Sequence, residues 1–248
     1  AQQDELLERS FELAHAFNTD RIRIFDFWRL DDQAPHRKAI DEKVREAADF
    51  CRYYALFARE HFADGTVEWV GGSMGAKYVM LYPGSFLMGE GARADHLNVG
   101  VAGKGVHKDT GAKVVHLAPN TRSRIVSKSV SKDGGRATYR GHLKVSPGAT
   151  NVVASVRCDA LMLDDQSRSD TYPYIDIQED DTTMSHEATV GRISQDQVFY
   201  LMSRGLTENE AQNLVIQGFL EVFTKELPME YAIEFNRLVK LEMEGSLG

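Results

Sequence analysis

The segment AKVVHLAPNTRSRIVSKSVSKDGGRATYRGHLKVSPGATNVVASVRC, residues 112–158, decides how this chain folds. It contains short runs rich in β-branched residues, and the pairs Pro119-Asn120, Gly134-Gly135 and Pro147-Gly148 separate them. Short strands at regular spacing, with turn residues between them and no helical pattern, predict an all-β region. A sandwich, a barrel and a β-helix all fit this pattern, and spacing alone does not choose among them.

The same texture runs from TVEWV at residue 66 to TYPYIDI, which ends at residue 177. We therefore predict a β core over residues 63–185, an amino-terminal helical segment over residues 1–62 and a carboxy-terminal helical domain over residues 186–248. In the amino-terminal segment, an apolar stripe at helical spacing includes Phe50, Cys51 and Tyr54. Cys51 is predicted to be a buried structural thiol, because free cysteines are commonly buried.

The carboxy-terminal region carries the signals of three helices. Ser194 with Gln197 and Thr207 with Glu210 have the spacing of capping boxes, and Gly205 ends the first helix. Pro228 is predicted in the first turn of the third helix, which we expect Gly245 to end. Apolar residues predicted to face inward are Ala211, Leu214, Val215, Gly218, Phe219, Val222, Phe223, Tyr231, Phe235 and Leu238. These narrow stripes predict a module for packing or partner docking.

Composition excludes several classes of function. The net charge of −8 over 248 residues argues against general nucleic-acid binding, and the local run of Arg122, Arg124, Lys128 and Lys132 is predicted to be a solvated strand face. Two cysteines are too few for a disulfide framework and favour a reducing, cytoplasmic location. No apolar run is long enough for a membrane helix. The start, AQQDELLERS, lacks the features of a signal peptide.

The candidate chemistry lies between Cys158 and Glu187. A thiol opens this acidic stretch and His186-Glu187 closes it. Thiolate, imidazole and carboxylate together suit iron or zinc. From spacing alone, however, Cys158 fits a buried strand position, and His186-Glu187 fits the first turn of a helix, where a carboxylate is favourable.

A second hypothesis uses only the carboxylates of this stretch. Asp164 or Asp165, together with Asp170, could form an acid–base pair. The chain would then be a β-helix hydrolase or lyase that acts on carbohydrate. Such an enzyme would keep its activity without Cys158.

Four segments carry a resemblance to a known family. They are DTGAKVVHLAPNTRSRIVSKSVS (109–131), YRGHLKVSPGATN (139–151), VRCDALMLDDQSRSDTYPYIDIQEDDTTMSHEATVGRISQDQVFYLMSRGLTENEA (156–211) and ELPMEYAIEFNRL (226–238). In this order and spacing they resemble the SufB/SufD family of the SUF iron–sulfur assembly system, and SRSDTYPYIDI and MSHEATVGRI are closer to SufB. The resemblance covers roughly residues 66–248.

The resemblance implies a fold and a set of partners. It implies a right-handed parallel β-helix, followed by a helical domain that docks a SufC-type ATPase. It also implies pairing with a SufD-type subunit, or with a second copy, through the β-helix ends, and sulfur supplied by a cysteine desulfurase system. The chain would then be a scaffold without turnover of its own, and its cargo would be a transient iron–sulfur cluster.

The resemblance also assigns the site residues. The family's cluster-site cysteine falls on Cys158, its essential glutamate falls on Glu187, and His186 matches the position where SufD supplies a histidine. A second relay cysteine that some relatives carry would lie near Glu60, where this chain has none. Cys51 lies nine residues earlier and is not assigned that role.

Overall fold

The computed structural model describes residues 21–28 and 66–243. Its strands are β1 (Arg21–Trp28), β2 (Thr66–Ser73), β3 (Tyr78–Leu81), β4 (Gly84–Leu87), β5 (Arg93–Ala102), β6 (His107–His116), β7 (Arg122–Ser131), β8 (Arg136–Val145), β9 (Val152–Met162), β10 (Arg168–Ile177) and β11 (Thr182–Arg192). Its helices are α1 (Gln195–Ser203), α2 (Glu208–Thr224) and α3 (Met229–Met243).

The strands wind into a parallel β-helix. Sheet A has the order β1-β2-β5-β7-β9-β11, and sheet B has the order β10-β8-β6-β3 with β4 also paired to β6. The chain alternates between the sheets, and every described pairing is parallel and in register; Arg93 lies beside Arg122, and Arg122 beside Val153. Each turn, which we call a coil, therefore takes about 30 residues. This confirms the fold that the family resemblance implied and excludes an antiparallel sandwich or barrel.

Turn residues stack at the corners of successive coils. Asn120 and Asn151 have φ values of 60° and 51°, in the left-handed region that asparagine tolerates better than most residues. The Asn151 Nδ2 group donates to Asn120 Oδ1 at 2.6 Å, and Asn120 Nδ2 donates to Glu90 Oε1 at 2.7 Å. The asparagine side chains that permit these tight corners therefore also bind the corner of the neighbouring coil.

An apolar core fills the space between the two sheets, and we call this space the lumen. Because strand side chains alternate between faces, every second residue points into it. Its buried members include Ala112, Val114, Ile125, Tyr139, Leu143, Val145, Val152, Ala154, Val156 and Cys158. Burial of a single aliphatic side chain of this size contributes about 1.5–3 kcal/mol to folding.

Two helices cover the outer face of sheet A. Phe223 of α2 and Phe235 of α3 are fully buried with ring centroids 4.7 Å apart. They pack against Gly72 of β2, where an added Cβ would lie 3.0 Å from the Phe223 ring. The strand residues Val70, Leu97, Val99 and Val101 belong to the same cluster. Among the described helices, none has both the length and the apolar character needed to cross a membrane.

The predicted starts of α1 and α2 are confirmed, whereas Pro228 lies just before α3 and not in its first turn. Ser194 caps α1, and Thr207 and Glu210 form a complete capping box on α2. The predicted apolar stripe also needs correction. The buried residues of α2 are Ala211, Ile216, Leu220 and Phe223, while the predicted inward residues Leu214 and Val222 are exposed. On α3, Phe235 is buried as predicted, but Tyr231 is 52% exposed. The predicted end at Gly245 lies outside the described residues.

Two predicted boundaries also differ from the structure. Arg21–Trp28 was assigned to the helical segment but forms β1, which pairs with β2 along its whole length. The rest of residues 1–62, including Cys51, lies outside the part of the chain that the structure describes. At the other side of the core, the proposed domain boundary at residues 185/186 falls inside β11, and α1 begins only at Gln195.

Candidate cluster-assembly site

Cys158 lies in the lumen, on the inner face of β9. It is 3% exposed and packs with Val156, Ala154 and Val152 of its own strand. Burial raises the pKa of the Cys158 thiol to about 11; a hydrogen bond with Thr171 lowers it slightly, and the charge of Asp159 raises it. In this structure the residue is a protonated, sequestered thiol, and the strand position predicted from its spacing is confirmed.

His186 and Glu187 lie in a strand, not at the start of a helix. Both belong to β11, which pairs in register with β9 and places Ala188 beside Cys158. TTMSHEATVGR has no apolar alternation because most of its side chains are exposed, so its pattern resembled a loop followed by a helix start. The strand forms because its backbone continues sheet A by one more member.

The register separates the three predicted ligands. His186 lies two residues before Ala188, so it is on the same face of sheet A as Cys158. Glu187 is on the opposite, outer face beside Arg157, and the Arg157 Nη1–Glu187 Oε2 distance is 3.8 Å. Both side chains of this ion pair are more than half exposed, so the pair itself contributes little to stability.

Two residues that sequence reasoning missed complete the surroundings of the thiol. Thr171 of β10 places its Oγ1 4.0 Å from Cys158 Sγ, and Tyr139 of β8 is the in-register neighbour of Thr171. Tyr139 is 4% exposed, and its hydroxyl has no hydrogen-bond partner among the described residues. Burial, and after it the charge of Cys158, raises the pKa of Tyr139, so the phenol stays protonated at neutral pH.

The described residues contain no group of three or more His, Cys, Asp and Glu side chains arranged to hold a metal ion. Within them, Cys158 and His186 share one face and Glu187 occupies the other. This arrangement offers one soft and one borderline ligand toward the inner side of the last coils. The three predicted ligands are thus not brought together within the described residues.

Comparison with known proteins decides the family. Residues 44–219 match the family model described as "SUF system FeS cluster assembly, SufBD core domain". The chain belongs to the SufBD family. The resemblance that was based on the four sequence segments is thereby confirmed.

Individual relatives agree with this assignment. The chain is 47% identical over 222 residues to the "Iron-sulfur cluster assembly protein SufB" of Bacillus subtilis, which covers 85% of this chain and 48% of the relative. It is 58% identical over 186 residues to an "Iron-sulfur cluster assembly SufBD family protein" of Mycobacterium tuberculosis, covering 75% of this chain and 22% of the relative. The chain thus spans less than half of the length of these curated relatives.

The carboxylates of the alternative hypothesis have structural duties in this SufBD chain. Burial raises the pKa of Asp164, but hydrogen bonds from the Asp133 backbone and from Ser167 outweigh it and lower the pKa overall. Burial likewise raises the pKa of Asp170, and Arg136 and Arg168 outweigh it. Asp165 pairs with Arg192. Carboxylates held ionised in turns and ion pairs are poor general acids, so the hydrolase or lyase hypothesis is not favoured.

The SufBD chain exposes the last coil, which we call the terminal coil and define as β10 with β11. Each of these strands is the last member of its sheet on this side, so one edge of each has no strand partner among the described residues. Ile175 and Ile177 of β10 and Val190 of β11 are between 38% and 52% exposed. Unpaired edges with exposed apolar side chains are typical places for association through strand pairing.

A second exposed surface lies on the helices. Phe199 and Tyr200 of α1 are 72% and 56% exposed, and Leu214 of α2 is 49% exposed. Tyr200 and Leu214 line one groove between the two helices. We call these three residues the helical face. Contiguous exposed apolar patches are typical of protein–protein contacts, among other interaction sites.

Proposed function

We propose that this chain is a scaffold for iron–sulfur cluster assembly, with Cys158, His186 and Glu187 as the ligands it contributes. The family assignment supports the general role, and one geometric observation carries the site. Cys158 lies one strand behind an exposed terminal strand, with His186 on the same face and two hydroxyl groups close by. A thiol in this position is stored near a surface that a partner can reach.

Cys158 serves two steps in this proposal. A thiolate is the preferred protein ligand of iron in clusters, and imidazole replaces it in some sites. A thiolate is also the nucleophile that accepts sulfur from a persulfide donor such as a cysteine desulfurase system. A site with a single thiolate releases its cargo more readily than a site with four, which suits a scaffold.

In this structure Cys158 is too deeply buried to carry out either step. Burial raises the pKa of the Cys158 thiol to about 11, and the side chain is only 3% exposed, so the thiol is protonated and out of reach of a donor. The terminal coil must therefore move, or a partner must open it, before Cys158 reacts. Glu187 joins the site in the same step, because it must leave Arg157 and the outer face to reach iron.

The proposal assigns each exposed surface to a partner. The free edges of β10 and β11 pair with a SufD-type subunit or with a second copy of this chain, which supplies the missing ligands. The helical face docks a SufC-type ATPase, whose nucleotide-driven movement pulls on the terminal coil. The chain itself turns over no substrate and works in the cytoplasm.

Reconstitution under anaerobic conditions tests the proposal. The full chain, mixed with its SufC-type and SufD-type partners, is incubated with ferrous iron and sulfide, and visible absorbance and bound iron are measured. Wild type should develop the thiolate-to-iron charge-transfer bands of a cluster. Cys158→Ala should develop none, and the matched cysteine variant Cys51→Ala should behave as wild type.

A wild-type complex that stays colourless, or a Cys158→Ala complex with the wild-type spectrum, would remove Cys158 from the site. His186→Ala and Glu187→Gln divide the remaining roles. Each should weaken the chromophore without abolishing sulfur uptake by Cys158. Equal spectra for wild type and both variants would show that the ligands besides Cys158 come from the partner.

A further inference from the structure

Three polar groups meet in the lumen between the last two coils. Cys158 projects from sheet A, and Tyr139 and Thr171 project from neighbouring strands of sheet B. The Thr171 Oγ1–Cys158 Sγ distance is 4.0 Å, and Thr171 lies directly beside Tyr139 in the register. We call Tyr139, Thr171 and Cys158 the lumen group.

The hydroxyl of Tyr139 has no structural duty among the described residues. It is buried and makes no hydrogen bond, although buried polar groups in proteins are almost always paired. A phenylalanine would fill the same volume without that cost. Gly141, two residues further along β8, leaves the space that the hydroxyl occupies, since an added Cβ would overlap it. The chain thus makes room for an oxygen that the closed state does not use.

We propose that the Tyr139 hydroxyl, assisted by Thr171, donates a hydrogen bond to the sulfur that Cys158 carries as a persulfide, which makes Tyr139 a positioning residue. This inference rests on the proposed role of Cys158 as sulfur acceptor. It adds a residue that neither the cysteine motif nor its neighbours in sequence indicate. The ligand of the hydroxyl is a sulfur anion attached to Cys158.

The covalent step needs no further reactant. The Cys158 thiolate attacks the terminal sulfur of a donor persulfide, and a new S–S bond forms at Cys158. The donor's own S–S bond breaks, and its electron pair leaves on the donor sulfur, which becomes a thiolate and takes up a proton. One sulfur atom is transferred without net oxidation or reduction of the two proteins together.

The geometry suits the product better than the free thiol. A persulfide extends the Cys158 side chain by one S–S bond of about 2.05 Å. Thr171 Oγ1 lies 4.0 Å from the Cys158 sulfur, and Tyr139 belongs to the same buried cluster as Cys158. The terminal sulfur of the persulfide carries negative charge at neutral pH, and hydrogen bonds to a charged acceptor are about twice as strong as neutral ones. The hydroxyl that lacks a partner in the thiol state gains one in the persulfide state.

The test compares the two states of Cys158 in the full chain, assembled with its SufC-type and SufD-type partners and a non-hydrolysable ATP analogue so that the thiol is accessible. Inorganic tetrasulfide loads the persulfide, and mass spectrometry of the Cys158 peptide follows its loss to dithiothreitol. A parallel sample measures alkylation of the unloaded Cys158 thiol by iodoacetamide. The variants are Tyr139→Phe and Thr171→Val, with Tyr174→Phe as the control that removes an exposed tyrosine hydroxyl from the outer face of β10.

Tyr139→Phe should lose the persulfide about tenfold faster than wild type, as expected for one hydrogen bond to a charged group. Alkylation of the unloaded thiol should not change, because the hydroxyl has no partner in that state. Thr171→Val should also lose the persulfide faster, by a smaller factor, and it replaces Tyr139→Phe if that variant does not fold. Burial raises the pKa of Cys158 and the contact of the unloaded thiol with Thr171 lowers it, so alkylation of the unloaded thiol should slow in Thr171→Val. Tyr174→Phe should match wild type in both assays.

Two results would overturn the inference alone. Equal acceleration of persulfide loss and thiol alkylation would show that Tyr139 only packs the lumen, and unchanged rates in both assays would show that its hydroxyl does nothing for sulfur. If wild-type Cys158 accepts no sulfur at all, the acceptor role fails and this inference fails with it. Cluster reconstitution on Cys158 would still be judged separately.

Discussion

The inner coils and the terminal coil share one architecture but differ in how far their side chains are buried. In the inner coils, which comprise β5 to β8, the His116 ring is fully buried, and its two nitrogens lie 2.7 Å from Thr121 Oγ1 and 2.9 Å from Ser123 Oγ. Other atoms of the same coils lack partners among the described residues: the Tyr139 hydroxyl, His96 Nδ1 and His142 Nε2 are buried without a hydrogen bond. A missing partner alone therefore does not indicate function, and what distinguishes Tyr139 is its place beside Thr171 and in the same buried cluster as Cys158.

The inner strands and the terminal strands also differ in how many strands pack beside them. Inner strands have neighbours on both sides, whereas β10 and β11 each have one neighbouring strand among the described residues. Most of their side chains are correspondingly exposed, and none is buried. Low packing density goes with a low free energy of local opening. We therefore expect the proposed access to Cys158 to come from movement of the terminal coil.

The largest expected difference between the two regions concerns strand glycines. A Cβ added at Gly111 in β6 would overlap the carbonyl oxygen of Arg140, whereas one added at Gly191 in β11 would meet nothing within 4 Å. Gly111→Ala should lose about 3 kcal/mol or more of unfolding free energy, or fail to fold. Gly191→Ala should be neutral or gain up to about 1 kcal/mol. Urea unfolding measures both, and equal losses would contradict the contrast.

Acid should destabilise the inner coils next most strongly. Burial lowers the pKa of His96 to about 3 and that of His116 to about 4. Below the unfolded value of about 6.5, the unfolded chain binds protons that the folded chain does not, so stability falls as pH falls from 6.5 toward 4. Between pH 7 and pH 5 each histidine should cost about 2 kcal/mol.

Urea unfolding at several pH values measures this loss. His116→Asn provides the internal check, because it removes one titrating group from the inner coils. Its unfolding free energy should be lower at pH 7 but should depend less on pH than that of wild type. A variant with the full wild-type pH dependence would show that His116 does not contribute to acid sensitivity.

A matched pair of isoleucines tests packing in the two regions. Ile125 in the lumen is fully buried, and Ile175 in the terminal coil is 38% exposed. Ile125→Ala should destabilise the chain by about 2–5 kcal/mol, and Ile175→Ala by less than about 1 kcal/mol. Chemical denaturation distinguishes them, and a large loss for Ile175→Ala would mean that the terminal coil is packed as firmly as the inner ones.

The smallest expected effect concerns Glu187. Its ion pair with Arg157 is exposed, so Glu187→Gln should change the unfolding free energy by less than about 1 kcal/mol. Cluster reconstitution in the assembled complex should nevertheless fall. Stability and cluster yield that decline together would indicate a structural role for Glu187.

Much of the fold could be predicted from the sequence, but the reasons differ by element. The capping boxes at Ser194 and Thr207 are local, so the residues themselves indicated the helix starts. The choice of a β-helix over a sandwich required the family resemblance, because parallel pairing joins residues about 30 apart and leaves no local signal. The prediction of which α2 residues face the core was partly wrong, because Leu214 and Val222 are apolar but exposed in the structure.

The candidate site was only half visible in the sequence. The motif indicated Cys158, but β11 was missed because its exposed residues lack alternation. His186 and Glu187 lie on opposite faces because they are successive residues of a strand. The sequence interpretation placed them at a helix start and so did not predict this separation. Tyr139 lies 19 positions before Cys158 and comes close to it across the lumen, so only the fold brings them together.

The most direct test of the account measures the accessibility of Cys158. Iodoacetamide alkylation, followed by mass spectrometry of the Cys158 peptide, compares the chain alone with the chain bound to its SufC-type and SufD-type partners and a non-hydrolysable ATP analogue. We predict slow alkylation of Cys158 in the chain alone and much faster alkylation of Cys158 in the nucleotide-bound complex. Rapid alkylation of Cys158 in the isolated chain, or equal protection in both states, would contradict storage of this thiol behind a movable terminal coil.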